Sequence, residues 1–209
     1  MLLGTAAGAP FLPQLTELAK GNLPFAVGTM LLLTLSTVGY LPLVLPLLLS
    51  DVSVDSTKIA RSLSLLMLFP LAVGLALKAL HQGVAARVKT MLDWICGVSL
   101  VPLVLLVTLV NVDKIIQVCG TLGILAGFLF IALGFGIGWM LGGPDPDTRR
   151  VLALGTGQRN LAAALVVAGE SFSDPKVVVM VIVVTIVGLL TLIPVCYLLA
   201  NRSFKQPGA

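Results

Sequence analysis

Apolar residues run in long blocks along this chain, and polar ones are confined to the short stretches between them. A bilayer-crossing helix needs about 20 mostly apolar residues, and the blocks at 23–50, 59–80, 94–112, 115–142 and 176–201 predict full spans. The second reaches that length by including Arg61 and Lys78, whose long side chains can snorkel to the headgroups. Trp94 and Trp139 stand near span ends, where interfacial tryptophans collect. Pro42, Pro46, Pro70, Pro102 and Pro194 fall inside the spans and are read as kinks, because neighbouring helices in a bundle re-satisfy the freed carbonyls. In the fourth span Gly123, Gly127, Gly134, Gly138 and Gly142 recur in steps of four and seven. They make one helix face that lets another backbone come close.

Two further apolar stretches are interrupted. Residues 148–170 contain Gly155-Thr156-Gly157-Gln158-Arg159-Asn160, and residues 1–22, read as half of a broken helix, contain Gly4-Thr5-Ala6-Ala7-Gly8-Ala9-Pro10. A shift of 151 residues lays Gly4-Thr5 on Gly155-Thr156, Pro24 on Pro175 and Thr34 on Thr185. Each interruption is thus followed, at equal distance, by a full-length span. An odd number of crossings separates the two copies, so they are inverted relative to each other. Inverted repeats with discontinuous helices mark secondary transporters. A break frees N–H and C=O groups that cost several kcal/mol each in lipid unless they line a polar cavity. The ten residues of 160–169 would be about 15 Å long as a helix, which places the second break near the bilayer midplane. An arginine at that depth costs about 2.5–3.5 kcal/mol on insertion scales. Arg159 is therefore either part of a site or snorkelling from a re-entrant segment. Its polar neighbours Gln158 and Asn160 favour the site.

Composition narrows the function classes. Hydrophobic types make up 58% of the 209 residues and charged types 11%, against about 25% charged in soluble domains. That excludes disorder and most soluble enzymes. The 13 Lys and Arg give a net charge of +4 without any clustered basic stripe, so no nucleic-acid partner is expected. Cys96, Cys119 and Cys196 lie far apart in apolar runs and are read as small buried hydrophobes. The single His, His81, is assigned to a loop, and Glu170 and Asp174 to a loop past the second half-helix. No acid lies within an uninterrupted run, which leaves a membrane-embedded enzyme without a catalytic constellation. The partner expected from composition is the lipid bilayer. Eight cations fall on the side of the chain that holds Lys20 and Arg149, against four on the other. The positive-inside rule then places the C-terminus in the cytoplasm of an integral protein of the bacterial inner membrane.

The two interrupted stretches, with Ala19-Lys20-Gly21-Asn22 after the first, resemble the crossing motifs of the bile acid:sodium symporter family. The resemblance implies a ten-helix fold of two inverted five-helix repeats, in which two discontinuous helices cross and organic anions move with sodium. On that template the chain is all-α, a polytopic bundle forming the C-terminal two-thirds of the fold. It starts inside the fourth helix, and a chain lacking helices one to three is not expected to transport alone. Sodium-using members place a glutamate and a glutamine where this chain has Gly155 and Arg159. The first crossing offers no side-chain oxygen beyond Thr5. No cofactor is expected, and sodium lacks its expected ligands. The candidate substrate- and ion-binding residues are Thr5, Ala6, Gly8, Thr156, Gly157, Gln158, Arg159 and Asn160. Arg159 is expected to stand where the ion would sit, a tethered cation facing an anionic substrate, with transport independent of sodium. The alternative is a non-transporting scaffold or a decayed paralogue.

Overall fold

The computed structural model describes residues 2–7, 10–48, 55–110, 112–113, 122–172 and 174–203. Their regular structure is helical: α1 (Leu2–Thr5), α2 (Leu12–Leu18), α3 (Leu23–Leu48), α4 (Ser56–Leu63), a π-helical turn (Ser64–Leu68), α5 (Phe69–Leu80) and α6 (Gln82–Val110), followed by α7 (Gly123–Leu141), α8 (Pro146–Gly157), α9 (Leu161–Ser171) and α10 (Pro175–Ser203). Five helical segments are long and apolar enough to cross a membrane: 23–48, 56–80, 123–141, 146–171 and 176–201. The chain is a helical membrane bundle. α3, α6 and α10 run unbroken through Pro42, Pro46, Pro102 and Pro194. Pro70 instead stands in the first turn of α5, one residue beyond the π turn. A proline there cannot donate to the carbonyl four residues back, and a π-bulge is one way a helix absorbs that loss.

Two buried clusters hold the bundle together. One joins Ala6 beside α1, Leu41 and Leu45 of α3, Ile59 and Leu63 of α4, and Ala163 and Val167 of α9. The other joins Leu12 and Leu15 of α2, Ile131 of α7, Val151 and Leu154 of α8, and Leu192 and Cys196 of α10. The first half of one broken helix therefore packs with the second half of the other, and the reverse. The two interrupted helices cross like the strokes of an X. Cys196 is fully buried, whereas Cys119 lies outside the described residues.

The glycine face of α7 is what brings α8 so near. A Cβ on Gly134 would meet the Thr156 carbonyl oxygen at 2.8 Å, one on Gly138 the Leu152 carbonyl oxygen at 2.5 Å, and one on Gly142 Arg149 Cα at 2.7 Å. Gly127 faces Val184 of α10 at 3.1 Å. At the α7–α8 turn the Arg149 guanidinium lies over the Trp139 ring at 5.7 Å and donates to the Gly143 carbonyl.

Several element bounds differ from the sequence reading. The stretch 81–93, read as a loop between spans, is helical except for His81, because α6 starts at Gln82. Val84 to Leu92 contain ordinary helix formers, and an apolar-run count cannot see a polar helical extension. Residues 1–22 are not one half-helix. A single turn, α1, precedes the break and α2 follows it. Glu170 lies inside the last turn of α9, not past it, and accepts a hydrogen bond from the Ser62 hydroxyl of α4. α8 continues through Gly155 and Gly157, so the second interruption is only Gln158-Arg159-Asn160. A Cβ on Gly155 would instead meet Leu12 of α2 at 3.1 Å, and one on Gly157 would meet Phe135 at 3.2 Å and Leu192 at 3.4 Å.

Candidate functional site

The site is built where the two breaks touch. Gln158 is extended (φ −80°, ψ 146°) and ends α8, while Asn160 (φ −81°, ψ 91°) caps α9 by accepting the Ala163 N–H at 3.1 Å on Oδ1. Asparagine is a favoured N-cap because its side-chain oxygen satisfies an N–H that the first helical turn leaves unpaired. The backbone N–H of Asn160 donates to the Ala6 carbonyl of the first break at 3.1 Å. Its Nδ2 reaches the Ala7 carbonyl at 3.4 Å and Met67 Sδ, in the π turn, at 3.7 Å. Asn160 is fully buried with its amide partnered at both ends, as a buried polar side chain must be.

The first break is satisfied from α3. The Thr37 hydroxyl donates to the Ala7 carbonyl at 2.6 Å, and the Tyr40 hydroxyl donates to the Thr5 carbonyl. All three backbone oxygens freed at Thr5, Ala6 and Ala7 thus accept protein donors. Gly8 lies outside the described residues. The Thr156 hydroxyl donates back to the Leu152 carbonyl at 2.7 Å, within its own helix and against the α7 glycine face. Gly157 is buried beneath Phe135 and Leu192.

Arg159 and Gln158 are different. Gln158 is buried, and its Oε1 has no hydrogen-bond partner; Nε of Arg159 is likewise buried and unpartnered. The Arg159 guanidinium lies over the Phe130 ring of α7, with Cζ 4.6 Å from the centroid. That contact is worth about 2 kcal/mol when desolvated, which offsets only part of the cost of burying a cation. Among the described residues no carboxylate comes within ion-pair range of it. Both residues line a cavity of about 80 Å³ whose walls are otherwise mostly apolar, among them Ile131, Leu161, Leu189 and Leu192, with the Thr185 side chain of α10 as a further polar edge.

The crossing unites Ala6, Gln158, Arg159 and Asn160 of the residues expected from sequence, plus the Thr5 backbone. It leaves the Thr156 hydroxyl to one side. Sequence reasoning missed Ala7, Thr37, Tyr40, Met67 and Phe130. Thr37 and Tyr40, three apart on an apolar helix, carried a weak signal, since residues at that spacing share a face. Met67 and Phe130 carried none.

No curated protein matches the chain. The profile of the sodium bile acid symporter family matches residues 1–118, more than half of the sequence and including the first break. Together with the helical bundle and the crossed interruptions, this match identifies the chain as a member of the sodium bile acid symporter family, a family of membrane transporters.

Proposed function

We propose that the chain is a secondary transporter, or part of one, for a small organic anion. Alternating access would be centred on the two crossed breaks of an inverted repeat, with Arg159 in place of a coupling cation. The observation that carries this reading is the unpaired guanidinium of Arg159 beside the orphan Gln158 Oε1 on one cavity wall. The N-terminus of α9 adds positive potential on the same side. A bound carboxylate or sulfonate would supply the charge that Arg159 lacks, and its forked oxygens match a guanidinium.

The residues at the crossing do not fit sodium. A sodium ion wants several oxygens turned toward it, and the carbonyls of Thr5, Ala6 and Ala7 each already spend lone-pair capacity on Tyr40, Asn160 and Thr37. Position 155 holds glycine, so no carboxylate stands there to balance the charge. A cation about 4 Å from the guanidinium would be repelled by about 4 kcal/mol at an effective dielectric of 20. These features support transport without sodium; the excess of cations on the side of Lys20 and Arg149 separately supports a cytoplasmic C-terminus in a bacterial inner membrane.

The test is thermal unfolding of the purified protein in detergent with a series of monocarboxylates, dicarboxylates and sulfonates. A true ligand at a hundred times its dissociation constant stabilises by about 2.7 kcal/mol. The expected result is stabilisation by an organic anion that persists when choline replaces sodium and vanishes in Arg159→Gln. A response that requires sodium would overturn the ion-replacement reading. No response to any anion would favour a non-transporting scaffold or a decayed paralogue.

A further inference from the structure

A groove of about 380 Å³ lies between α1, the first two turns of α7 and the first turns of α10. Gly123 and Val177 stand at its mouth, and Leu3, Phe130 and Val184 at its inner end. The mouth opens at the end of the bundle where Ser62 meets Glu170. There α9 ends at Ser171 and α10 begins at Pro175, while the far end of α7, at Gly142, packs on Arg149. From Gly123 to Phe130 the helix descends seven residues, or about 10 Å. No side chain along the way is polar.

The groove ends against the Arg159 cavity. Leu3 and Val184 wall both spaces, and Phe130 completes the partition. It lines the groove and carries the Arg159 guanidinium over its ring, with Cζ 4.6 Å from the centroid. The ring also has somewhere to go. It is half-buried, with the groove beside it. Opposite its tip stands Gly4 of α1, where a Cβ would come 4.0 Å from Phe130 Cζ; a larger side chain at position 4 would take up the space beside the ring.

We propose that Phe130 is a side-chain gate between this groove and Arg159, shut in this structure. The ring swings off the guanidinium to let an anion in from the Ser62–Glu170 end, and the cation–π stack returns it. The inference rests on Arg159 as the anion site. Apolar walls suit such a gate, because a hydrophobic constriction dewets and turns back hydrated inorganic ions, whereas an organic anion brings an apolar part that those walls accept.

The test places a cysteine in the cavity by Thr185→Cys, at a residue that does not line the groove. Its labelling in the full chain in detergent is followed by peptide mass, with neutral methyl methanethiosulfonate and with the anionic sulfonatoethyl reagent. Phe130→Ala should speed both by up to roughly 25-fold, the equivalent of a stack of about 2 kcal/mol at 1.4 kcal/mol per tenfold. Phe130→Trp, which keeps the stack and enlarges the ring, should slow both, as should Gly4→Leu, which confines the ring from α1. The native Cys196 is fully buried and should stay unlabelled throughout. If Phe130→Ala exposes it, that variant has loosened the bundle, and Phe130→Trp with Gly4→Leu decide alone. Rates indifferent to side-chain size at positions 130 and 4 would overturn the gate. The anion reading fails separately. Arg159→Gln should lower the anionic rate relative to the neutral one, and an unchanged ratio would overturn Arg159 as the anion site while the size dependence at position 130 still stood.

Discussion

Asn160 is the residue on which both breaks depend, and it lends itself to dissection. Asn160→Ala removes the cap on α9, worth about 1 kcal/mol, and the amide bond to Ala7, worth about 1 kcal/mol more. Asn160→Ser keeps a capping oxygen and should forfeit only the second part. Thermal unfolding of the two variants in detergent checks the difference, and equal losses would show that the cap contributes nothing. Arg159 and Asn160 were legible in the sequence because polar side chains in the middle of an apolar run demand a reason. Thr37, Tyr40, Met67 and Phe130 were not, because each reads as ordinary interior of an apolar helix until tertiary packing brings it to the crossing. The glycines misled for a related reason. Gly155 and Gly157 looked like the break, yet both sit in α8 and serve to admit neighbouring side chains. The helix stops where Asn160 must leave helical geometry to cap the next one.

At the scale of elements, α7 and α8 form the tightest pairing, and its origin lies in the glycine spacing that the sequence displays openly. The partner helix was not legible, since spacing reveals a face but not what it meets. Gly138→Leu would drive a side chain into the Leu152 carbonyl. Overpacking of this kind costs about 1–3 kcal/mol, with the upper end expected where the obstacle is backbone. Gly136→Ala, on a face with nothing within 4 Å, should instead be neutral or stabilising by up to about 1 kcal/mol. Fluorescence-detected size exclusion after heating separates the two. α8 also begins with a titratable cap. The Asp145 carboxylate accepts from the Thr148 hydroxyl and from the Thr148 N–H at 2.9 Å, and these bonds, the hydroxyl first, hold its pKa below the usual carboxylate value. A depressed folded-state pKa means the contribution is present above the unfolded value of about 3.9 and lost as pH falls through the folded one. Melting temperature followed down through that window should therefore fall more steeply in the parent than in Asp145→Asn, which caps without titrating. Parallel curves would show that the cap has no share in acid stability.

At the scale of the whole molecule, two contacts sort the connections by side. Arg150 donates to the Lys20 carbonyl at 3.0 Å and to Asp147 at 3.0 Å, so the α2–α3 and α7–α8 turns share one end of the bundle. Ser62 with Glu170 marks the opposite end. This pairing agrees with the loop alternation counted from sequence, in which Lys20 and Arg149 share a side, although which side faces the cytoplasm rests on the charge count. Cysteines placed singly at Gly143 and at Asp55 should react with an impermeant maleimide in opposite preparations, Asp55 from outside intact cells and Gly143 only after permeabilisation. The reverse pattern would invert the proposed topology. The bundle and its spans were visible in the sequence because lipid imposes a length and an apolarity that few other environments demand. The crossing was expected only through the family resemblance, since the apolar pattern does not tell which half of each broken helix finds which neighbour. That packing has a mechanical corollary. Asn160 rivets one broken helix to the other through bonds to Ala6 and Ala7, so neither stroke of the X can slide without dragging its mate. Any motion that exposes the Arg159 cavity first to one side and then to the other must therefore treat the crossed pair as a fixed axle. The swing would fall to the α4–α6 arm, which meets the axle through Ile59 and Leu63 packed on α9, the Ser62–Glu170 hydrogen bond and the Met67 sulfur contact.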